Sequence, residues 1–188
     1  YLDHQKELKK SNKNTEKISQ LKKKTLDVLN RMRINITERT IPITTEELHY
    51  QVARMYGDLG QKDQMKNILD ELMELKHDSP SSRVEYANIY FKELSDTTKS
   101  LFILEKLHAE FLQIEEMISI GGFGTKSISE QNWRKWQQAY PSIVSSLVFI
   151  YRDTGRGENA EEILDDWLKR NPNDKSAEKL LKEIRSPG

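Results

Sequence analysis

From residue 46 onward the apolar positions fall into paired stripes with helical spacing. Leu48, Val52, Met55, Tyr56 and Leu59 recur at steps of three and four, and Met65, Ile68, Leu69, Leu72 and Leu75 do so again after Gly60. Gly60 accepts the left-handed backbone that ends a helix, so these stripes predict an antiparallel hairpin over about 44–77. A second hairpin, about 80–120, is predicted from Val84, Tyr86, Ala87, Tyr90 and Phe91, a turn at Ser95-Asp96, and an unusually long return through Leu101, Leu104, Leu107, Phe111 and Ile114. A third, about 141–171, carries Ile143, Val144, Leu147, Val148 and Tyr151, then Gly155, then Ala160, Ile163, Leu164, Trp167 and Leu168 up to Pro172. Ala177, Leu180, Leu181 and Ile184 mark a last amphipathic helix over 174–185, whose lysines and glutamates suit a solvated cap on a stack.

Between the second and third stripes the pattern breaks. Gly121-Gly-Phe-Gly124 opposes helix, because each glycine costs about 1 kcal/mol relative to alanine there. A short segment with Trp133, Trp136 and Tyr140 follows, an aromatic stripe expected to pack on neighbouring helices. Pro141 is then expected at the first turn of a helix, where its missing N–H costs nothing. Upstream, Ile18, Leu21, Leu26, Leu29 and Met32 predict a leading helix. Thr40-Ile-Pro-Ile-Thr-Thr reads as an extended connector before a new start near Thr45. The expected organisation is thus a lead-in over 1–43 and a helical repeat domain over 44–188.

Tyr56 and Tyr90 stand 34 residues apart, the period of a helical solenoid built from hairpins. In the third hairpin Val144, Leu147, Val148, Tyr151, Gly155, Ala160, Leu164, Trp167 and Pro172 follow an order that resembles the tetratricopeptide repeat. The first hairpin, with His49, Val52, Ala53, Tyr56, Gly60, Met65, Leu69 and Leu72, resembles it with methionine at the small-residue position and with Pro80 three residues late. The second keeps Arg83, Tyr86, Ala87 and Tyr90 but has Leu94 where the pattern has glycine. The resemblance covers about 100 residues. It implies an all-α fold, a tetratricopeptide-like right-handed superhelix of antiparallel helix pairs, that binds a protein or peptide without catalysis. Carried over by position, the binding face would comprise Glu47, Tyr50, Arg54 and Asp58, then Val84, Asn88 and Phe91, then Ser142, Ser145, Phe149 and Arg152. The run from Thr25 through Arg39-Thr-Ile-Pro-Ile-Thr also resembles the soluble tail of bacterial multi-pass membrane proteins related to glycosyltransferases. That resemblance implies an accessory extramembrane domain tethered through a segment before residue 1, in keeping with a chain that begins at Tyr1 without methionine.

Charge and composition narrow the chemistry. Thirty basic and thirty acidic side chains cancel, so no global field draws the chain to nucleic acid. Residues 1–24 nevertheless carry a net charge of +5, read either as a solvated helix or tail, or as a segment drawn to anionic headgroups. The absence of cysteine excludes disulfides, thiolate catalysis and cysteine-ligated zinc. His4, His49, His77 and His108 lack metal-ligand spacing, so no metal or cofactor is expected. The neighbouring pairs Glu115-Glu116 and Asp165-Asp166 point about 100° apart on a helix and cannot share one reacting atom. Gly121-Gly-Phe-Gly124 lacks the strand and lysine of a phosphate loop. No apolar run approaches the ~20 residues that span a bilayer.

Overall fold

The structure, a computed structural model, describes residues 19–20, 23–28, 30–31, 45–74, 79–121 and 129–186, with the side chains of 45–48 and 121 excepted. The connector at 40–44, His4, His77, the glycines at 122 and 124 and the Glu47 side chain lie outside this set, as do most apolar positions of the leading helix. Every described element is a helix. Residues 23–28 and 30–31 are helical, and seven further helices follow: α1 (Thr45–Asp58), α2 (Lys62–Glu74), α3 (Pro80–Lys92), α4 (Thr97–Gly121), α5 (Glu130–Asp153), α6 (Gly157–Arg170) and α7 (Lys175–Arg185). None is long and apolar enough to cross a membrane, among the described residues. The chain divides into two compact units, residues 1–75 and 76–188.

In the first unit α1 packs on α2 through Val52, Ala53, Tyr56, Met65, Ile68, Leu69 and Leu72, all almost fully buried. The Tyr56 hydroxyl reaches back to the leading helix and donates to Asn30 Oδ1 at 2.6 Å. In the second unit α3 pairs with α4 and α5 with α6, while α5 also lies against both α3 and α4. The core here is drawn from Val84, Tyr86, Ala87 and Tyr90, from Ile103, Leu104, Leu107 and Phe111, and from Ile143, Val144, Leu147 and Tyr151. Arg83 joins α3 to α4 by a two-pronged contact with Glu110, the shorter arm 2.7 Å long.

The three hairpins share one turn chemistry. In the first, Gln61 N–H donates to the carbonyl of Tyr56, and the Gln61 carbonyl accepts from Met65 N–H. In the last, Arg156 N–H donates to Tyr151 and its carbonyl accepts from Ala160. Gly60 and Gly155 occupy the preceding position with φ of 75° and 71°, where a Cβ would be strained whatever the space around it. The middle hairpin makes the same two bonds with one more residue in the turn: Asp96 donates to Tyr90 and accepts from Ser100, and Ser95 takes the positive φ, 56°. Ser100 therefore stands where Met65 and Ala160 stand in their hairpins. Like them it is 0% exposed, and among the described residues its hydroxyl has no hydrogen-bond partner.

One expectation is corrected. Pro141 does not open a helix. Instead α5 begins eleven positions earlier, at Glu130, where the Ser129 hydroxyl caps it by accepting from Asn132 N–H, and it continues through Pro141. Proline removes one backbone bond and crowds the carbonyl a turn earlier. Both halves of α5 are nevertheless fixed from outside, the first by Trp133 and Tyr140 against Phe111 of α4, the second by Ile143, Val144 and Leu147 in the core. A proline-led start does occur at α3, where Ser79 caps the helix and Pro80 occupies its first turn.

Candidate functional site

α7 follows α6 without closing the structure. It lies against α6, but no Cα of α7 comes within 8 Å of a Cα of α5. Two polar ties hold it in that position. At its start the Trp167 Nε1–H donates to Asp174 Oδ2 at 2.9 Å, while Asp174 Oδ1 caps α7 by accepting from Ser176 and Ala177 N–H at 3.1 and 3.0 Å. The indole bond, then the backbone bonds from Ala177 and Ser176, hold the Asp174 carboxyl below its ordinary range. At its end Arg185 reaches Glu161 at 3.0 Å and Asp165 at 2.5 Å on α6.

The space left between α5 and α7 is an open groove of about 370 Å³. From α5 it is lined by Pro141, Val144, Ser145, Val148, Phe149 and Arg152, from α6 by Leu164 and Trp167, and from the α7 side by Asp174, Ser176, Ala177 and Leu180. Val144, Val148 and Leu164 belong to the core and present only an edge to it, so the floor is apolar and rigid. Phe149 is 54% exposed, a large aromatic left half in water on a helix otherwise well packed, and its ring meets that of Phe91 of α3 edge-on at 5.9 Å. Arg152 is exposed in the last turn of α5, where a cation suits the helix dipole, and among the described residues no carboxylate pairs with it.

An aromatic stack closes the neighbouring seam of α4, α5 and α6. Tyr140 lies on Phe111 at 3.6 Å, Phe111 on Trp133 at 5.2 Å, and His108 beside Tyr140 at 5.7 Å with its Nδ1 3.2 Å from the phenol oxygen. Burial pushes the Tyr140 phenol up to about 12 and depresses the His108 imidazole, against the opposing pull of Asp166. Trp133 and Tyr140 thus do the packing that their spacing predicts, and Trp136 is half-buried. A second cleft, between α4 and α6, is lined by His108 and by carboxylates of α6 including Glu162 and Asp166. Much of that charge is spent within the fold: Asp166 and Glu115 hold Arg170, while Glu161 and Asp165 hold Arg185. Among the described residues no group of three or more potential ligands is placed to hold a metal ion.

The face expected from the sequence is reached only in part. Ser145, Phe149 and Arg152 line the groove, and Asn88 and Phe91 are half-buried on α3. Ser142 is exposed but does not line it, and Val84 is only 4% exposed, its side chain consumed by packing. In the first unit Tyr50 is half-buried, and Arg54 and Asp58 are exposed. Trp167, Asp174, Ala177 and Leu180 are groove residues that periodicity assigned to core or cap. Their signal was indirect, since an aspartate just before a helix predicts the cap but not the indole it also holds. Set against known proteins, the chain matches no family model, no curated protein and no solved structure.

Proposed function

We propose that this chain is a non-enzymatic protein- or peptide-binding module of tetratricopeptide type, with the groove between α5 and α7 as its partner-contacting surface. The groove itself carries the reading: a rigid apolar floor, a half-exposed aromatic at Phe149 and a single available cation at Arg152. Few, well-placed polar groups around an apolar cleft are the usual form of a binding site, and a pocketed aromatic is a common energetic anchor. Three of the lining residues are those that the repeat resemblance assigned to the binding face. The shared turn chemistry at Tyr56, Tyr90 and Tyr151 supports treating the hairpins as repeats of one unit.

The test pans a displayed library of random peptides on the 188-residue chain, then repeats binding on Ser145→Arg. Ser145 is exposed on α5 beside the floor, so arginine there fills the groove without entering the core. Peptides of about 16 residues span the site even as a helix, at about 1.5 Å per residue. Saturable binding that disappears on Ser145→Arg, with the far-ultraviolet circular dichroism unchanged, is the expected result. Selected peptides that bind the variant as tightly, or a library that yields no binder, would overturn the reading.

A further inference from the structure

We propose that the occupant of this groove is an amphipathic α-helix carrying a carboxylate for Arg152, seated on α5 as α5 is seated on α3. The proposal rests on the groove being the partner-contacting surface. The shape of the second unit comes first. α5 lies against both helices of the hairpin before it, whereas α7 lies against only one helix of its own, so the side of α5 corresponding to the covered side of α3 is open. The open side runs from Pro141 to Arg152, about 16 Å or three helical turns. The ties of Asp174 to Trp167 and of Arg185 to Glu161 and Asp165 fix α7 at both ends, so the slot keeps its width.

Backbone chemistry then separates a helix from an extended peptide. A strand laid in this groove would need partners for its N–H and C=O groups, and buried main-chain groups without partners are costly. Beyond the Ser176 hydroxyl and the Arg152 guanidinium, the groove offers almost none. Val144, Val148, Leu164 and Leu180 are hydrocarbon, the Ser145 hydroxyl already donates to the carbonyl of Ser142 at 3.2 Å, and both Asp174 oxygens are taken. A helix satisfies its own backbone and presents only side chains, an apolar stripe at three- and four-residue steps matching the floor. Charge supplies the last element. The Asp174 carboxylate stays ionised with both oxygens engaged at the start of α7, so Arg152, the groove's cation, is the charge left for the occupant, and an acidic side chain on the seated helix is its complement.

The test uses those library peptides whose binding to the full chain is lost on Ser145→Arg. A proline placed at a middle position is expected to weaken each by at least about tenfold, since it breaks helix and leaves an extended chain intact. Arg152→Glu is expected to weaken them by about tenfold, and exchanging the peptide's acidic residue for lysine to recover the loss on that variant. Groove-dependent peptides that tolerate the central proline, or whose affinity ignores Arg152→Glu, overturn the helical acidic occupant while leaving the groove reading intact. Failure of every peptide to depend on Ser145 overturns both.

Discussion

Asp174 serves α7 twice, and substitution separates the two roles. One oxygen caps the helix through Ser176 and Ala177 N–H, and the other accepts from the Trp167 indole at 2.9 Å. Losing a cap costs about 1 kcal/mol. A hydrogen bond to a charged group contributes about 1.5–3 kcal/mol when buried, reduced to about 1 here because Asp174 is half-exposed. Asp174→Ala should therefore weaken α7 by about 2 kcal/mol, a rise of about thirtyfold in its opening. Asp174→Asn keeps a capping oxygen, but its amide nitrogen cannot accept from the indole, so it should cost about 1 kcal/mol, as should Trp167→Phe beyond its loss of ring area. Combining Asp174→Asn with Trp167→Phe should add almost nothing to Trp167→Phe alone, because both remove the same bond. α7 packs on α6 only, so the loss belongs to local opening and is read by amide exchange along Ala177 to Ile184. Acid sharpens the test. The carboxyl is held below its ordinary 3.8, so its contribution is complete above that value and is lost as the pH falls through the lower folded one. That dependence should vanish in Asp174→Asn. Equal costs for Asp174→Ala and Asp174→Asn, or full additivity with Trp167→Phe, would refute the two-role account.

Two further outcomes follow from buried groups. Ser100 is 0% exposed with an unpaired hydroxyl, so Ser100→Ala should raise the stability of the second unit by about 1 kcal/mol in urea unfolding, and a loss would show that the hydroxyl does more than fit. His108 is depressed by burial, with Asp166 and Glu162 pulling the other way and Arg170 reinforcing it, so the fold favours the neutral ring. Its contribution is complete above 6.5 and is lost as the pH falls from there toward the lower folded value; His108→Gln should flatten urea midpoints across that window, and an unchanged slope would refute the assignment.

The helices were legible because tertiary burial and local spacing agree through most of this chain. Gly60 and Gly155 announced their turns, since a left-handed position there is a local requirement of the backbone. Pro141 misled for the complementary reason: a local rule said helix start, and packing on Phe111 from one side and in the core from the other overrode it. Ser100 was invisible because the middle turn holds one more residue, which shifted the small position by one and hid it behind a polar name. Of the groove, the residues read from the sequence are those on α5, Ser145, Phe149 and Arg152. Its opposite wall was not, because the distance between α7 and α5 is set by an indole and a guanidinium at the ends of α7, and no periodicity encodes it.

The extra residue of the middle turn bears on how such a chain can change length. Because Asp96 still bonds Tyr90 before it and Ser100 after it, the surplus is absorbed entirely by Ser95 and never enters α4. Had it entered, every later side chain of α4 would have rotated by about 100° about the helix axis, turning Leu101, Leu104 and Leu107 toward water. The paired bonds act as a phase lock. Residues can be gained or lost between them, at a position able to adopt a left-handed backbone, while the angular register of the helix that follows stays fixed.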